Sequence, residues 1–319
     1  MESIEKNEIT KENLIEAVGE LMSQRHPEFQ LKLHSTHKTN GVVKEALSFV
    51  EKAGSAMSVA PVIYFEDFLE KVQKDPDYTI LDAAEDLMEL FENAMSDSIS
   101  NDIKELFGTV DKTKIVPEIV NMEANREMLL NTPHRIIAED LAVIARYQVT
   151  DQGSTVISND LATRLMLTPT EVMDAAVSNA KGECKTMCEI MADMMNIPEE
   201  QAREMLGDNG MYIVSNEKRV YGAAPIYLDR NLRKEVAEVI GGDFYILPSS
   251  IHECICISAD RLTPDEANDM ITEVNAGELL PEEILSDHCY HVNSETLKIS
   301  NPMKESLKEK PVAKAVSAM

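Results

Sequence analysis

A chain of 319 residues with 57 acidic and 30 basic side chains carries a formal charge of −27, a field that repels phosphate backbones and anionic membrane surfaces. Direct nucleic-acid and membrane partners are therefore not expected. The 44% hydrophobic content is enough for a substantial core, which assigns the charge to the surface of a folded body rather than to a disordered chain.

The first twenty residues, MESIEKNEITKENLIEAVGE, lack the basic start, apolar run and small-residue cleavage site of a secretory signal. No apolar stretch approaches the roughly 18 residues of a membrane span, so a cytoplasmic protein is expected. Thr10 caps a predicted helix over Lys11 to Ser23, where Leu14, Ile15, Val18, Leu21 and Met22 recur at helical spacing, and Pro27 ends it. Alternation in Phe29 to Leu33, a turn at Thr39-Asn40-Gly41 and a return over Val42 to Val50 predict a β-hairpin. Val62 to Val72 suits an amphipathic helix, and Asp75-Pro76-Asp77 separates it from a longer helix over Ile80 to Ala94.

Acidic and polar residues from Ser96 to Lys112 mark a boundary. Beyond it, Ile115 to Val120, Leu141 to Val149 and Thr155 to Ile157 are strand-like, with a turn at Asp151-Gln152-Gly153. Thr168-Pro169-Thr170-Glu171 and Thr263-Pro264-Asp265-Glu266 are helix starts: threonine caps, proline fits the first turn, and glutamate reaches back to the cap amide. Between them, Met211 to Ser215, Val220 to Leu228, Phe244 to Leu247 and Glu253 to Ser258 have β character, and a helix over Asp229 to Ile240 closes at Gly241-Gly242. This β-β-α-β-β-α order predicts an α+β protein with helices packed on mainly antiparallel sheet. Its two lobes are expected at 1–110 and 111–297, with a disordered tail at 298–319.

Neither Gly-x-Gly-x-x-Gly nor the Walker pattern occurs, and no cofactor is expected. The segment from Ile246 to Cys256 sets Pro248, Ser249, Ser250, His252 and Glu253 between two apolar strands, which supplies the ingredients of nucleophilic catalysis. The structural alternative is a polar turn in which the serines satisfy backbone groups. His252, Cys254 and Cys256 would share one strand face and could chelate zinc with a fourth ligand from Asp287 to His291. Buried free cysteine is the ordinary alternative, and five cysteines in a chain without an export signal point to reduced thiols. Cys184 and Cys188 lie four apart on a predicted helix amid Met187, Ile190, Met191, Met194 and Met195, a core stripe or an adaptable binding surface.

With these segments in view, the chain resembles an uncharacterised bacterial family, domain of unknown function 5688, from about Ile9 to Val292. The resemblance is carried by Ala60 to Phe65, Val120 to Asn125, Pro133-His134, Asp140-Leu141-Ala142, Tyr221-Gly222-Ala223-Ala224, Ile246 to Glu253, Glu273-Val274-Asn275 and Leu285-Ser286-Asp287. It implies no established activity, and it directs attention to Asn121, Asn125, His134 and Asp140 as binding residues and to the Pro-Ser-Ser-Ile-His-Glu turn. The leading expectation is a noncatalytic cytosolic interaction or accessory protein whose partner is another protein. The alternatives are a hydrolase centred on Ser249, Ser250, His252 and Glu253, and an acidic mimic of DNA.

Overall fold

The computed structural model describes residues 9–52, 62–96, 110–149, 153–207 and 210–304. Most of the Ser96 to Lys112 boundary segment, Ala60-Pro61, Asp151-Gln152 and the chain from 305 onward lie outside the described residues. The chain divides into two units, Met1–Val110 and Asp111–Met319.

In the first unit, Thr10 Oγ1 accepts the Asn13 amide at the start of α1 (Lys11–Arg25), and Leu14, Val18 and Met22 bury its apolar stripe. The hairpin forms as predicted, with β1 (Phe29–His37) antiparallel to β2 (Val43–Glu51). Asn40 and Gly41 take left-handed backbone in its turn, where those residue types meet the least steric cost. The predicted helix over Val62 to Val72 is corrected: Val62–Tyr64 is a third strand, β3, paired with Ala46 to Ser48, and α2 (Glu66–Lys74) begins only after Phe65. Two β-branched residues and a tyrosine satisfy the open edge of β2 better than they extend a helix. With α3 (Ile80–Ser96) in place, Phe49 and Phe91 stack at 4.4 Å at the centre of this core.

The second unit holds two antiparallel sheets. In one, β4 (Ile115–Asn121) runs along one side of β6 (Leu141–Gln148), while β5 (His134–Ile136) and β7 (Ser154–Val156) share the other. The short α4 (Arg126–Leu129) and α5 (Asn159–Arg164) lie in its connections, and α6 (Pro169–Ser178) packs on β4 and β6. The second sheet has the strand order β13-β12-β10-β11-β9-β8. Its members are β8 (Glu183–Thr186), β9 (Met211–Ser215), β10 (Phe244–Leu247), β11 (Cys254–Ser258), β12 (Tyr290–Val292) and β13 (Ile299–Ser300). The sheet therefore continues past residue 297, where a tail was expected, because Leu297 turns in left-handed backbone and returns Ile299 to Val292.

Tyr245, Leu247 and Ile257 pack against Ala267 and Ile271 of α11 (Pro264–Gly277) on one face of this sheet. The opposite face, with Phe244, Ile246, Cys254 and Cys256 buried, meets α10 (Arg230–Ile240). The α+β expectation is met. Two further corrections concern β8 and the segment before α10. Val220 to Leu228 is not a strand: Arg219 and Tyr221 take positive φ, and Ala224–Leu228 forms a short helix, α9, with Pro225 in its first turn. Proline there lacks only an amide that a helix leaves unpaired in any case. Cys184 and Cys188 do not share a helix, since Cys184 lies in β8 and Cys188 in α7 (Met187–Met195), which pairs with α8 (Glu199–Leu206). Thr186 and Glu189 form a capping box that starts the helix after Cys184.

The predicted cap at α6 is present: Thr168 Oγ1 accepts the Glu171 amide, and the Glu171 carboxylate receives the Thr168 amide and hydroxyl. Those hydrogen bonds, with Lys112 close by, hold the Glu171 carboxyl at about 2. A depressed carboxyl contributes stability that is complete above the ordinary value of 4.5 and is lost as pH falls through about 2. Glu171→Gln, which keeps a capping acceptor but cannot titrate, is expected to flatten the fall of thermal stability across that acid window. Thr168→Ala is expected to cost about 1 kcal/mol in urea unfolding at neutral pH.

Candidate functional site

Residues singled out in the sequence fall in two polar assemblies of the second unit, both built from segments far apart in sequence. The first surrounds Asp140, in the tight connection between β5 and β6. Its Oδ1 accepts the Tyr290 hydroxyl at 2.6 Å, and its Oδ2 accepts the Ser286 hydroxyl at 3.0 Å and the Asn121 side-chain amide at 3.5 Å. His288 Nε2 lies 3.6 Å from Oδ1, while Nδ1 lies 3.0 Å from Ser286 Oγ. The serine has one proton, so when it donates to Asp140 its oxygen accepts from His288 Nδ1–H.

Tyr290 is 1% exposed. Burial, reinforced by the negative charge of Asp140, pushes its hydroxyl far above the ordinary tyrosine range, and it stays a neutral donor. Asn121 also closes the turn after β4 by accepting the amides of Glu123 and Ala124, and it donates to the Leu285 carbonyl at 3.0 Å. Asn125 donates to the Asn121 carbonyl at 2.8 Å and belongs to the same turn. His134 stands apart: it is exposed on β5, and its Nδ1 donates to the Thr132 carbonyl at 2.9 Å.

The second assembly is the Pro-Ser-Ser-Ile-His-Glu turn and the wall it supports. Ser249 Oγ donates to the Glu253 carbonyl at 3.1 Å, and Ser250 Oγ accepts the His252 amide at 3.0 Å. The His252 ring accepts the Tyr221 amide at Nδ1, 3.2 Å away, which places the ring proton on Nε2, 3.4 Å from Glu283 Oε1. The His252 carbonyl receives the Ser215 hydroxyl at 2.8 Å, and the Ile251 carbonyl receives the Ala223 amide at 3.2 Å. Gly222 is pressed into this junction. A Cβ there would lie 2.2 Å from Ser215 Oγ and 2.5 Å from the His252 carbonyl oxygen, so glycine alone fits.

Tyr221 also lines a cleft of about 620 Å³. Its walls come from Val116 and Pro117 on β4, Gln148 and Ser154 across β6 and β7, Asn179 to Lys181 after α6, and the segment from Asn216 to Tyr221 after β9. The left-handed backbone of Arg219 and Tyr221 is unusual for non-glycine residues, and both lie in that segment. Beneath the wall, the Arg146 guanidinium sits 4.6 Å from the centre of the Tyr221 ring. It donates to the buried Glu118 carboxylate at 2.8 Å and to Ser154 Oγ at 2.9 Å.

The residues considered for zinc are separated. Cys254 and Cys256 are fully buried on one face of β11, as alternation predicts, whereas His252 precedes the strand and points to Tyr221 and Glu283. Burial pushes the Cys254 thiol up to about 12 and Cys256 well above its ordinary range, which keeps both protonated. Cys289 and the partly buried Cys184 are raised by burial to about 11. Among the described residues no group of three or more His, Cys, Asp or Glu side chains is arranged to hold a metal ion.

Asn121 and Asp140, singled out in the sequence, thus meet in one network, and Ser249, Ser250, His252 and Glu253 in another. Sequence reasoning missed Arg146, Glu118, Ser154, Lys181 and Lys218. A signal for the first two existed: each is a charged residue within a strand segment otherwise rich in buried apolar side chains.

These features define an α+β protein with a walled cleft in its second unit. The chain belongs to a family described as "Family of unknown function (DUF5688)", whose model matches residues 9–294. No curated protein and no solved structure matched the chain.

Asp140→Ala would leave the buried Tyr290 and Ser286 hydroxyls without their shared acceptor. It is expected to destabilise the chain by about 2–4 kcal/mol in urea unfolding. Asp140→Asn, which keeps one oxygen acceptor, is expected to lose less. Gly222→Ala is expected to cost about 1–3 kcal/mol through overpacking and to shift the amide resonances of Asn216 and His252 in a heteronuclear NMR spectrum.

Proposed function

We propose that the chain is a noncatalytic, cytoplasmic binding protein and that the cleft beside Tyr221 is its ligand site. The observation that carries this reading is the cleft of about 620 Å³, a size typical of small-molecule sites. One wall is a strained loop held in place from behind by side-chain and backbone groups of a polar turn. Strained backbone persists where surrounding structure over-determines it, and ligand clamps are a common place for it.

A serine nucleophile would need a base within hydrogen-bond reach and an open face for the acyl group. Ser249 and Ser250 are instead hydrogen-bonded to the backbone of Glu253 and His252, and the His252 ring is held between Tyr221 and Glu283. The groups that would have to move protons at this turn are committed to holding a wall, which favours binding over turnover there. All five thiols are free, as suits a reducing compartment. Among the described residues no helix is long and apolar enough to cross a membrane.

Native mass spectrometry of the freshly purified full chain tests the reading. It should reveal a small molecule bound in stoichiometric amount and released by acid. Added back, that molecule should shift the backbone amides of Ser154, Lys181 and Tyr221. A chain that retains and takes up no small molecule, but turns over a chromogenic ester or amide at a rate that collapses in His252→Gln, would establish the hydrolase alternative instead.

A further inference from the structure

We infer that the ligand of this cleft is a small organic anion: a carboxylate or a phosphate ester joined to an apolar body. The inference rests on the reading of the cleft as a binding site and adds the chemistry of its occupant. Hydrogen-bond supply decides the class, because a ligand must answer what the walls still offer after their internal bonds are made.

The two asparagines in the walls are already engaged. Asn179 Nδ2 donates to the carbonyls of Lys112 and Ile115 at 2.8 Å each, and Asn216 is bonded through both its amide nitrogen and its oxygen to the backbone of Val220. Ser154 differs in a useful way. Its oxygen accepts from Arg146 Nε, so its hydroxyl proton remains to be donated, and the guanidinium 2.9 Å behind strengthens it as a donor. Lys181 and Lys218 also line the cleft: Lys218 has a partner within the chain and contributes positive charge, while the Lys181 ammonium is a donor to the ligand. Lys181 makes no ion pair among the described residues.

Glu217 is the one carboxylate in the lining, so the cations outnumber it by two to one. In a chain of net charge −27 this is a local reversal of the prevailing field. Donors and positive charge call for an acceptor-only, negatively charged group on the ligand. Apart from the Gln148 amide, the rest of the lining is mostly apolar, with Val116, Pro117, Ala180, Val220 and Pro225 beside the Tyr221 ring, and suits a nonpolar body on the same molecule. Inorganic anions meet the first demand and not the second.

Thermal unfolding of the full chain against three ring compounds of similar size separates the possibilities. Phenyl phosphate, benzoate or both should raise the midpoint in a saturable way, while neutral benzyl alcohol should not. The anion that binds identifies the phosphate or the carboxylate. The Lys181→Ala, Lys218→Ala double variant should weaken that binding at least about tenfold, and arginine at both positions should restore it. Lys234→Ala, on α10, should leave it unchanged, and about 0.5 M salt should weaken it in the parent chain.

Binding of benzyl alcohol as tight as that of the anions, binding of neither anion, or an unaltered response in the double alanine variant overturns the inference. Retention of a neutral metabolite in native mass spectrometry would do the same while leaving the binding reading intact. Absence of any retained or added ligand would remove both.

Discussion

The Asp140 carboxylate is the interaction on which the second unit depends. A tyrosine at 1% exposure can bury its ring only if its hydroxyl finds an acceptor, and Tyr290 finds Asp140 at 2.6 Å. Asp140 precedes β6 of the four-stranded sheet, and Tyr290 opens β12 of the six-stranded one. One carboxylate therefore ties two sheets through residues 150 positions apart. Ser286 and Asn121 use its second oxygen, and Asn121 reaches the Leu285 carbonyl from the end of β4. Asn275 on α11 holds the same short segment by donating to the Ser286 carbonyl at 3.0 Å. Contacts this distant in sequence carry a loop-closure cost, which grows slowly with separation, and a charged acceptor serving several donors offsets it better than isolated neutral bonds would.

That tie has consequences at the cleft. Its walls draw on both sheets, with Val116, Pro117 and Ser154 from one and the loop after β9 from the other. Holding the sheets together therefore fixes the spacing of the walls. The turn at Ser249 to Glu253 then adjusts one wall locally: it receives Ser215, Tyr221 and Ala223 and leaves no room for a side chain at position 222. A loop carried on rigid sheet edges and pinned from behind is how proteins present binding groups without freezing the whole surface.

Much of this fold was legible in the sequence because its signals are local. Thr168 with Glu171 and Thr263 with Glu266 are capping boxes whose grammar spans four residues, and both helices begin where that grammar places them. The hairpin in the first unit follows from alternation and an Asn-Gly turn. Val62–Tyr64 was misread because its apolar residues fit either period, and only the open edge of β2, invisible in a linear reading, decides for strand. Val220 to Leu228 was misread because Val220, Tyr221, Ile226 and Tyr227 favour strands, and the Ala-Pro step that starts a helix carries less weight in a periodicity count. The site was legible in its parts and not in its assembly. Asn121, Asp140 and Ser286 stood out as separate segments, but their convergence is a product of tertiary structure. The cleft was invisible because lysines on exposed loops look like ordinary solvated charge.

The pairing of Glu118 with Arg146 bears on what the cleft does. Glu118 is fully buried and Arg146 partly so, and removing such charges from water often leaves an ion pair no more stabilising than a well-packed hydrophobic pair of the same volume. Stability alone therefore gives no reason for a charged pair in the middle of β4 and β6. Position does. Arg146 reaches past Glu118 to Ser154 through its Nε and Nη2 and lies against the ring of Tyr221, so one partly buried cation orients two residues that line the cleft. Glu118 balances the charge and fixes the plane of the guanidinium, which a lysine at 146 could not offer because its ammonium has no fork to hold. A pair with little value as a stabilising element has a clear one as a support for Ser154 and Tyr221.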